Sequence, residues 1–215
     1  MHPETLKQSR TVVGGTKTLH MDKIAALNPD IIIANKEEND EGLIKELMSK
    51  YQVWTSDIHN LDDSLEMISA LGKICDREDN ARKIMTEIKR AFQKLEIASL
   101  KSDLTAAYFI WRDPYMAVGG HSFISHMLEH CGLKNIFQDS VVDYPKYSAE
   151  ELHYYSPDLV LLSSEPFPFK EKHVSEFQNL FPHSKIILVD GELFSWYGSR
   201  LQKSPAYFRQ LFEDN

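Results

Sequence analysis

An α/β protein of two lobes, each on a short parallel sheet and joined by one long helix, is predicted by three observations on the sequence. The stretch from Asp76 to Leu100 carries Ala81, Ile84, Met85, Ile88, Phe92 and Leu95 at spacings of three and four, and Arg82, Lys83, Glu87, Lys89 and Arg90 fill the other face, as one amphipathic helix requires. On either side, short apolar runs bounded by turn residues alternate with helical patterns, the mark of βα units. The order also repeats. Asn28-Pro29-Asp30 before Ile31 to Ile33 matches Ser156-Pro157-Asp158 before Leu159 to Leu161, and each is preceded by a short helix and followed by loop, helix, strand and an aspartate, Asp57 or Asp190. The expected organisation is an N-terminal α/β lobe at 1–75, a bridging helix at 76–103 and a C-terminal α/β lobe at 104–215. The competing reading of the long stretch is an ordinary core helix of a single domain.

Taken in order, Val12 and Val13 read as a short strand stopped by Gly14-Gly15. Thr16 to His20 then reads as a polar loop and Met21 to Leu27 as a short helix. Ile31 to Ala34 is a continuous apolar run suited to a buried parallel strand. Glu41 to Lys50 is helical by its Leu43, Ile44, Leu47 and Met48 stripe, Gln52 to Thr55 is the next strand, and Leu61 to Cys75 is a helix ahead of the long one. Asp76 is the expected N-cap of the long helix, with Glu78 and Asp79 in its first turn, where the dipole favours negative charge. A helix of roughly 22 residues would run about 33 Å. Beyond it, Ala106 to Trp111 is a strand, Phe123 to Cys131 a helix ended by Gly132, Asn135 to Phe137 a short strand, and Ala149 to Tyr155 a brief helix capped by Ser148. Leu159 to Leu162 is a strand, Lys170 to Phe181 a helix, Lys185 to Val189 a strand and Leu201 to Phe212 the closing helix.

Composition excludes several classes of function. The chain has 215 residues, 42% hydrophobic and 26% charged, with a formal net charge of -8 and no run of Lys or Arg, which argues against nucleic acid or an anionic membrane as the main partner. No apolar run approaches 18 residues, and no signal-peptide h-region stands near Met1. Cys75 and Cys131 lack metal-type spacing, sit in helix-like segments beside apolar residues and read as buried free thiols. No GxSxG, HExxH or P-loop is present. Gly119-Gly120-His121-Ser122 before a helix has the form of an anion-holding turn, though Gly-Gly with a Ser cap is more often just a turn. His126 and His130 share a helix face and, with His121, are weighed as zinc ligands. No carboxylate or Cys completes the set at a familiar spacing, so no metal or cofactor is assigned.

The informative residues stand at the expected carboxyl ends of strands, where parallel α/β sheets bind ligands. Trp111, Arg112 and Tyr115 follow one strand, Tyr144 and Tyr147 lie in the next loop, Phe167 and Phe169 follow the third strand, and Phe194, Trp196, Tyr197 and Arg200 follow the fourth. The expectation is an aromatic-walled cleft between the lobes with Arg112 and Arg200 as polar anchors, faced by Thr16, Lys17, Asn35 and Lys36 of the first lobe. Such a wall suits a large planar or chelated ligand. Burial of these rings in an ordinary core is the alternative.

The segments VVGGTK (Val12 to Lys17), NPDIIIANKEEN (Asn28 to Asn39), GGHSFISHMLEHCGLKNIF (Gly119 to Phe137), YPKYSAEEL (Tyr144 to Leu152), LLSSEPFPFKEKH (Leu161 to His173) and VDGELFSWYGSR (Val189 to Arg200) resemble the helical-backbone substrate-binding proteins of ABC importers, the class III periplasmic binding proteins that include cobalamin-binding and iron-siderophore-binding receptors. The resemblance implies a two-lobed receptor with the long helix as backbone, no chemistry of its own, a corrinoid or iron-chelate (siderophore or haem) ligand in the cleft, and an ABC permease as partner. It puts permease docking on Glu41 and Glu150, and it places Tyr144 and Asn35 where cobalamin-binding members carry Trp. It also implies a strand, a helix and a further strand ahead of Val12, so the first lobe is expected to be incomplete, with either self-association through that lobe or a mobile first lobe as the consequence. By resemblance the compartment is the periplasm or cell envelope; the cytoplasm is the alternative. Other readings are a metal-dependent or cleft enzyme on the same scaffold, using His121, His126 or His130, and a cytoplasmic corrinoid or haem sensor.

Overall fold

The computed structural model describes residues 5–95 and 104–213. The chain divides into two compact units, Met1–Asp57 and Ile58–Asn215.

The first unit runs α1 (Thr5–Ser9), β1 (Gly14–Gly15), β2 (Thr18–Leu19), α2 (Met21–Leu27), β3 (Ile32–Asn35), α3 (Glu41–Met48) and β4 (Val53–Ser56). In place of the strand expected at Val12 and Val13, β1 pairs antiparallel with β2. Gly14, at φ 127, makes this tight hairpin: a Cβ there would lie 2.2 Å from the Thr18 carbonyl oxygen. Asn28 closes α2 in the left-handed conformation, and Pro29 prevents the helix from continuing. β3 and β4 then pair in parallel, Ile32 opposite Val53 through Asn35 opposite Ser56. The α3 helix between them is capped by the Asp40 side chain accepting from the Leu43 N–H. Ile24, Ala34, Ile44 and Leu47 form the core. Because strand side chains alternate, Ala34 points into that core while Ile33 is left 46% exposed. The apolar run is therefore covered on one face, not on both.

The second unit opens with α4 (Leu61–Ile74) and α5 (Glu78–Gln93), followed by β5 (Thr105–Trp111), β6 (Tyr115–Ala117), α6 (Phe123–His130), β7 (Lys134–Asn135), β8 (Lys146–Tyr147) and α7 (Ala149–Leu152). It continues with β9 (Leu159–Ser163), α8 (Glu171–Leu180), β10 (Lys185–Val189), α9 (Gly191–Ser195), a 3-10 turn (Ser199–Gln202) and α10 (Ser204–Glu213). The sheet order is β10-β9-β5-β6-β8, with β7 beside the start of β5. β10, β9 and β5 are parallel; β6 is antiparallel to both β5 and β8. The sheet is thus mixed, because the turn after Trp111 sends the chain straight back.

Both faces of this sheet are covered, which is why β9 is buried throughout. On one face Ala106, Tyr108, Ile110, Leu161 and Val189 pack with residues of α4, α5, α6 and α10; on the other Ala107, Phe109, Val160 and Leu162 pack with Phe177, Leu180 and Phe181 of α8 and its C-terminal end. Asp158 ties β9 to β5 by accepting from the Thr105 N–H and hydroxyl, each at 2.7 Å, and these bonds hold its carboxyl below the usual range.

The long amphipathic helix is α5, and its described length is 16 residues. Ala81, Ile88 and Phe92 belong to the second unit's core, together with Leu65 and Ile68 of α4. Gly72 allows the two helices to approach, since a Cβ there would lie 2.5 Å from that of Ala81. The unit boundary therefore falls at Asp57, ahead of the α4 helix that the sequence assigned to the first lobe. Asp76 is not the N-cap: it adopts φ 51, and Arg77 precedes the first turn without a side-chain cap. Residues 96–103 of the expected bridge lie outside the described residues.

Candidate ligand site at the strand ends

In the first unit the candidate side chains hold their own loop together. Asn35, at the end of β3, donates through Nδ2 to Ser56 Oγ at 3.1 Å and accepts the Glu38 N–H through Oδ1 at 2.9 Å. Its N–H donates to Asn39 Oδ1 at 2.8 Å, and Asn39 Nδ2 donates to the Thr16 carbonyl at 3.0 Å. Lys17 Nζ donates to the Glu37 carbonyl at 2.9 Å, and Lys36 is ion-paired with Asp57. A polar role toward ligand here would cost these bonds.

In the second unit the candidates fall into two groups. The first surrounds the end of β5. Trp111 is 39% exposed, its indole N–H donates to the Asp113 carbonyl at 3.1 Å, and its ring meets Phe167 edge-on at 5.7 Å. One carboxylate organises its neighbours: Glu176 of α8 accepts from Arg112 Nε at 2.7 Å and from the Tyr115 hydroxyl at 2.6 Å. Burial, reinforced by that carboxylate, pushes the Tyr115 phenol up to about 12.

The second group follows β10. Trp196 Nε1 donates to Glu165 Oε1 at 2.7 Å, and the Arg200 guanidinium lies 5.8 Å from the Trp196 ring centroid. Arg200 is paired with Glu192 at 2.5 Å and stands 4.0 Å from Asp190. Tyr197 rests on Phe123 at 5.4 Å, and its carbonyl accepts from Ser64 of α4. Tyr144 is half-buried against the same core. The segment Glu165 to Phe167 contributes to both groups, Glu165 to Trp196 and Phe167 to Trp111.

Phe194 does not belong to this wall. It is 0% exposed, 4.5 Å from Phe208 and 5.2 Å from Tyr108 between ring centroids, because α9 turns its apolar face onto the sheet. The glycine turn before α6 is occupied by packing: Gly119 N–H donates to the Asp143 carbonyl at 2.7 Å, and a Cβ on Gly120 would sit 2.0 Å from the Gln138 carbonyl oxygen. His126 and His130 are neighbours at 4.8 Å, and burial lowers His130 to about 4. Among the described residues no group of three or more His, Cys, Asp or Glu is placed to hold a metal.

Glu41 and Glu150 are both exposed in the first turn of a helix, α3 and α7. Glu41 pairs with Lys45 at 2.6 Å, and hydrogen bonding lowers both carboxyls, from Lys45 in one case and from the α7 N-terminus in the other. Sequence reasoning missed Glu165, Glu176, Glu192 and Ser195. The signal available was a carboxylate two residues past an apolar strand, as at Glu165, or in the first turn after one, as at Glu192.

A mixed α/β sheet with aromatic rings and paired arginines at its strand ends fits a binding protein, and the pattern of the periplasmic binding protein family matches residues 2–181. The chain belongs to that family. It is 22% identical over 205 residues to the vitamin B12-binding protein of Photorhabdus laumondii, covering 94% of this chain and 74% of that protein. Among solved structures, the periplasmic vitamin B12 binding protein of Vibrio cholerae superposes with a TM-score of 0.81 at 20% identity, covering 99% of this chain and 85% of the other. The periplasmic heme-binding protein of Roseiflexus sp. RS-1, in apo form, gives 0.81 at 15% identity, covering 99% and 86%. At these identities the structural likeness shows the fold: an α/β class III periplasmic binding protein.

Proposed function

We propose that this protein is the solute-binding component of an ABC importer, that it takes a cobalamin-like or iron-chelate ligand, and that it delivers this ligand to a permease in the cell envelope. The observation that carries the reading is the set of rings left partly exposed at the strand ends of the second unit, Trp111, Tyr144, Trp196 and Tyr197, where an ordinary core would bury them. A face of π-systems with its cations already paired suits a broad, flat chelate, bound by contact area and ring stacking. Family membership supports the same reading, as do relatives whose names record vitamin B12 and heme binding. Glu41 and Glu150 are the proposed docking groups, exposed carboxylates in the first turns of capped helices.

The test is titration of tryptophan fluorescence with cyanocobalamin, haemin and ferrichrome. Saturable quenching by one of them without turnover is the expected result. Zinc binding at one per chain accompanied by hydrolysis of a substrate would replace the receptor with an enzyme.

A further inference from the structure

We propose that Glu165 is a positioning residue of the strand-end site, fixing the Trp196 indole in the orientation in which it meets ligand; this rests on the reading of Trp196 as a ligand contact. Glu165 stands two residues past the end of β9, and its backbone is held there: Ser163 Oγ donates to the Glu165 carbonyl at 2.6 Å and accepts the Glu165 N–H at 3.3 Å. Its carboxylate crosses to the end of α9, where one oxygen, Oε1, accepts Trp196 Nε1–H at 2.7 Å and stands 2.9 Å from Ser195 Oγ, whose single proton has the Gly191 carbonyl, also at 2.9 Å, as its other acceptor. The crossing depends on Gly191, since a Cβ there would lie 2.8 Å from Glu165 Cγ and 2.3 Å from Ser163 Oγ.

The ring is thereby held at its edge by a carboxylate and flanked by Arg200, itself paired with Glu192. A hydrogen bond to an ionised acceptor is stronger than a neutral one. A partly exposed tryptophan left to rotate would lose that freedom when ligand arrives, and fixing it beforehand removes the cost from binding. The arrangement also sets what Trp196 can offer. Its only donor is committed to Glu165, so the ligand meets a π-face and carbon edges, and selectivity at this position is for a flat surface, with no hydrogen bond.

The experiment uses the full chain with Glu165→Ala, Glu165→Gln, Trp196→Phe, which assigns the Trp196 indole resonance in a 15N spectrum, and Trp196→Ala, which removes the π-face. Without ligand, Glu165→Ala is expected to shift that resonance and speed its exchange with water, while Glu165→Gln, which keeps an oxygen acceptor, restores protection. For whichever of cyanocobalamin, haemin or ferrichrome binds the wild type, Glu165→Ala should weaken binding about tenfold and Glu165→Gln by less than about threefold. If Glu165→Ala does not fold by circular dichroism, Glu165→Asp, which withdraws the oxygen by one methylene, is expected to act in the same direction. An unchanged indole signal in the Ala or Asp variant overturns the assignment. So does wild-type affinity in that variant when Trp196→Ala binds weakly, and in that case the ligand reading survives. If Trp196→Ala binds like the wild type, or no probe binds the wild type, the ligand reading fails and takes the assignment with it.

Discussion

Phe194 and Trp196 stand two residues apart and end in opposite environments. The Phe194 ring is enclosed by Tyr108, Tyr207 and Phe208, whereas Trp196 is half-buried with its N–H on Glu165. Phe194→Ala is expected to cost about 3 to 5 kcal/mol of stability, the range for emptying a buried aromatic site. Trp111→Ala and Tyr144→Ala should each cost roughly 1 kcal/mol or more of ligand affinity with far less effect on stability. Urea midpoints and fluorescence titrations on the same samples separate the two outcomes. His130 carries a pH dependence of known sign. Burial, with a smaller contribution from His126 and an opposing one from Asp62, lowers it from 6.5 to about 4. Between those values the unfolded chain binds the proton that the folded chain refuses. Its contribution is therefore complete above pH 6.5 and is lost progressively as pH falls toward 4. His130→Leu should flatten the urea midpoint across that interval; an unchanged slope would show that other groups govern it.

At the level of elements, of the two N-caps read from the sequence Ser148 holds and Asp76 does not. Asp40 before α3, Asn60 before α4 and Ser148 before α7 each accept a first-turn N–H, as residues of these types do. Asp40→Ala should cost about 1 kcal/mol, read from the thermal midpoint. Glu41 and Glu150 lie one and two residues inside such caps, exposed and charged. Reversing both to Lys should leave ligand affinity unchanged and slow association with a permease in a manner that weakens with added salt, because rim charges set encounter more than affinity. Loss of ligand binding together with docking would refute this division of roles. Four short strands were not legible: β1, β2 and β8, of two residues, and β6, of three, are too short for alternation to show, and turn geometry creates their pairing.

For the whole molecule, the first unit has a core of Ile24, Ala34, Ile44 and Leu47 under a two-stranded sheet, and the second has two extensive cores on either face of its sheet. Small cores support less local stability. Amides of β3 and β4 are therefore expected to exchange with solvent faster than those of β5 and β9, as measured by native-state hydrogen exchange. Equal protection in the two units would show that the small core closes as tightly as the large one.

The sequence by itself determined the α/β class, the family and the two Pro-Asp repeats, which became β3-α3-β4 and β9-α8-β10. The class and the repeats rest on periodicity or turn chemistry between near neighbours in the chain, where spacing alone dictates which side chains share a face, and the family rests on the resemblance of whole segments. Only the tertiary structure decided which aromatic is enclosed and which stays at the surface, which arginine already has its carboxylate, and on which side of α4 the unit boundary falls. Arg112 meets Glu176 across 64 residues and Trp196 meets Glu165 across 31. Loop side chains have no period to reveal such partners, and whether a ring or a charge stays available depends on the pairing that the packed sheet brings about.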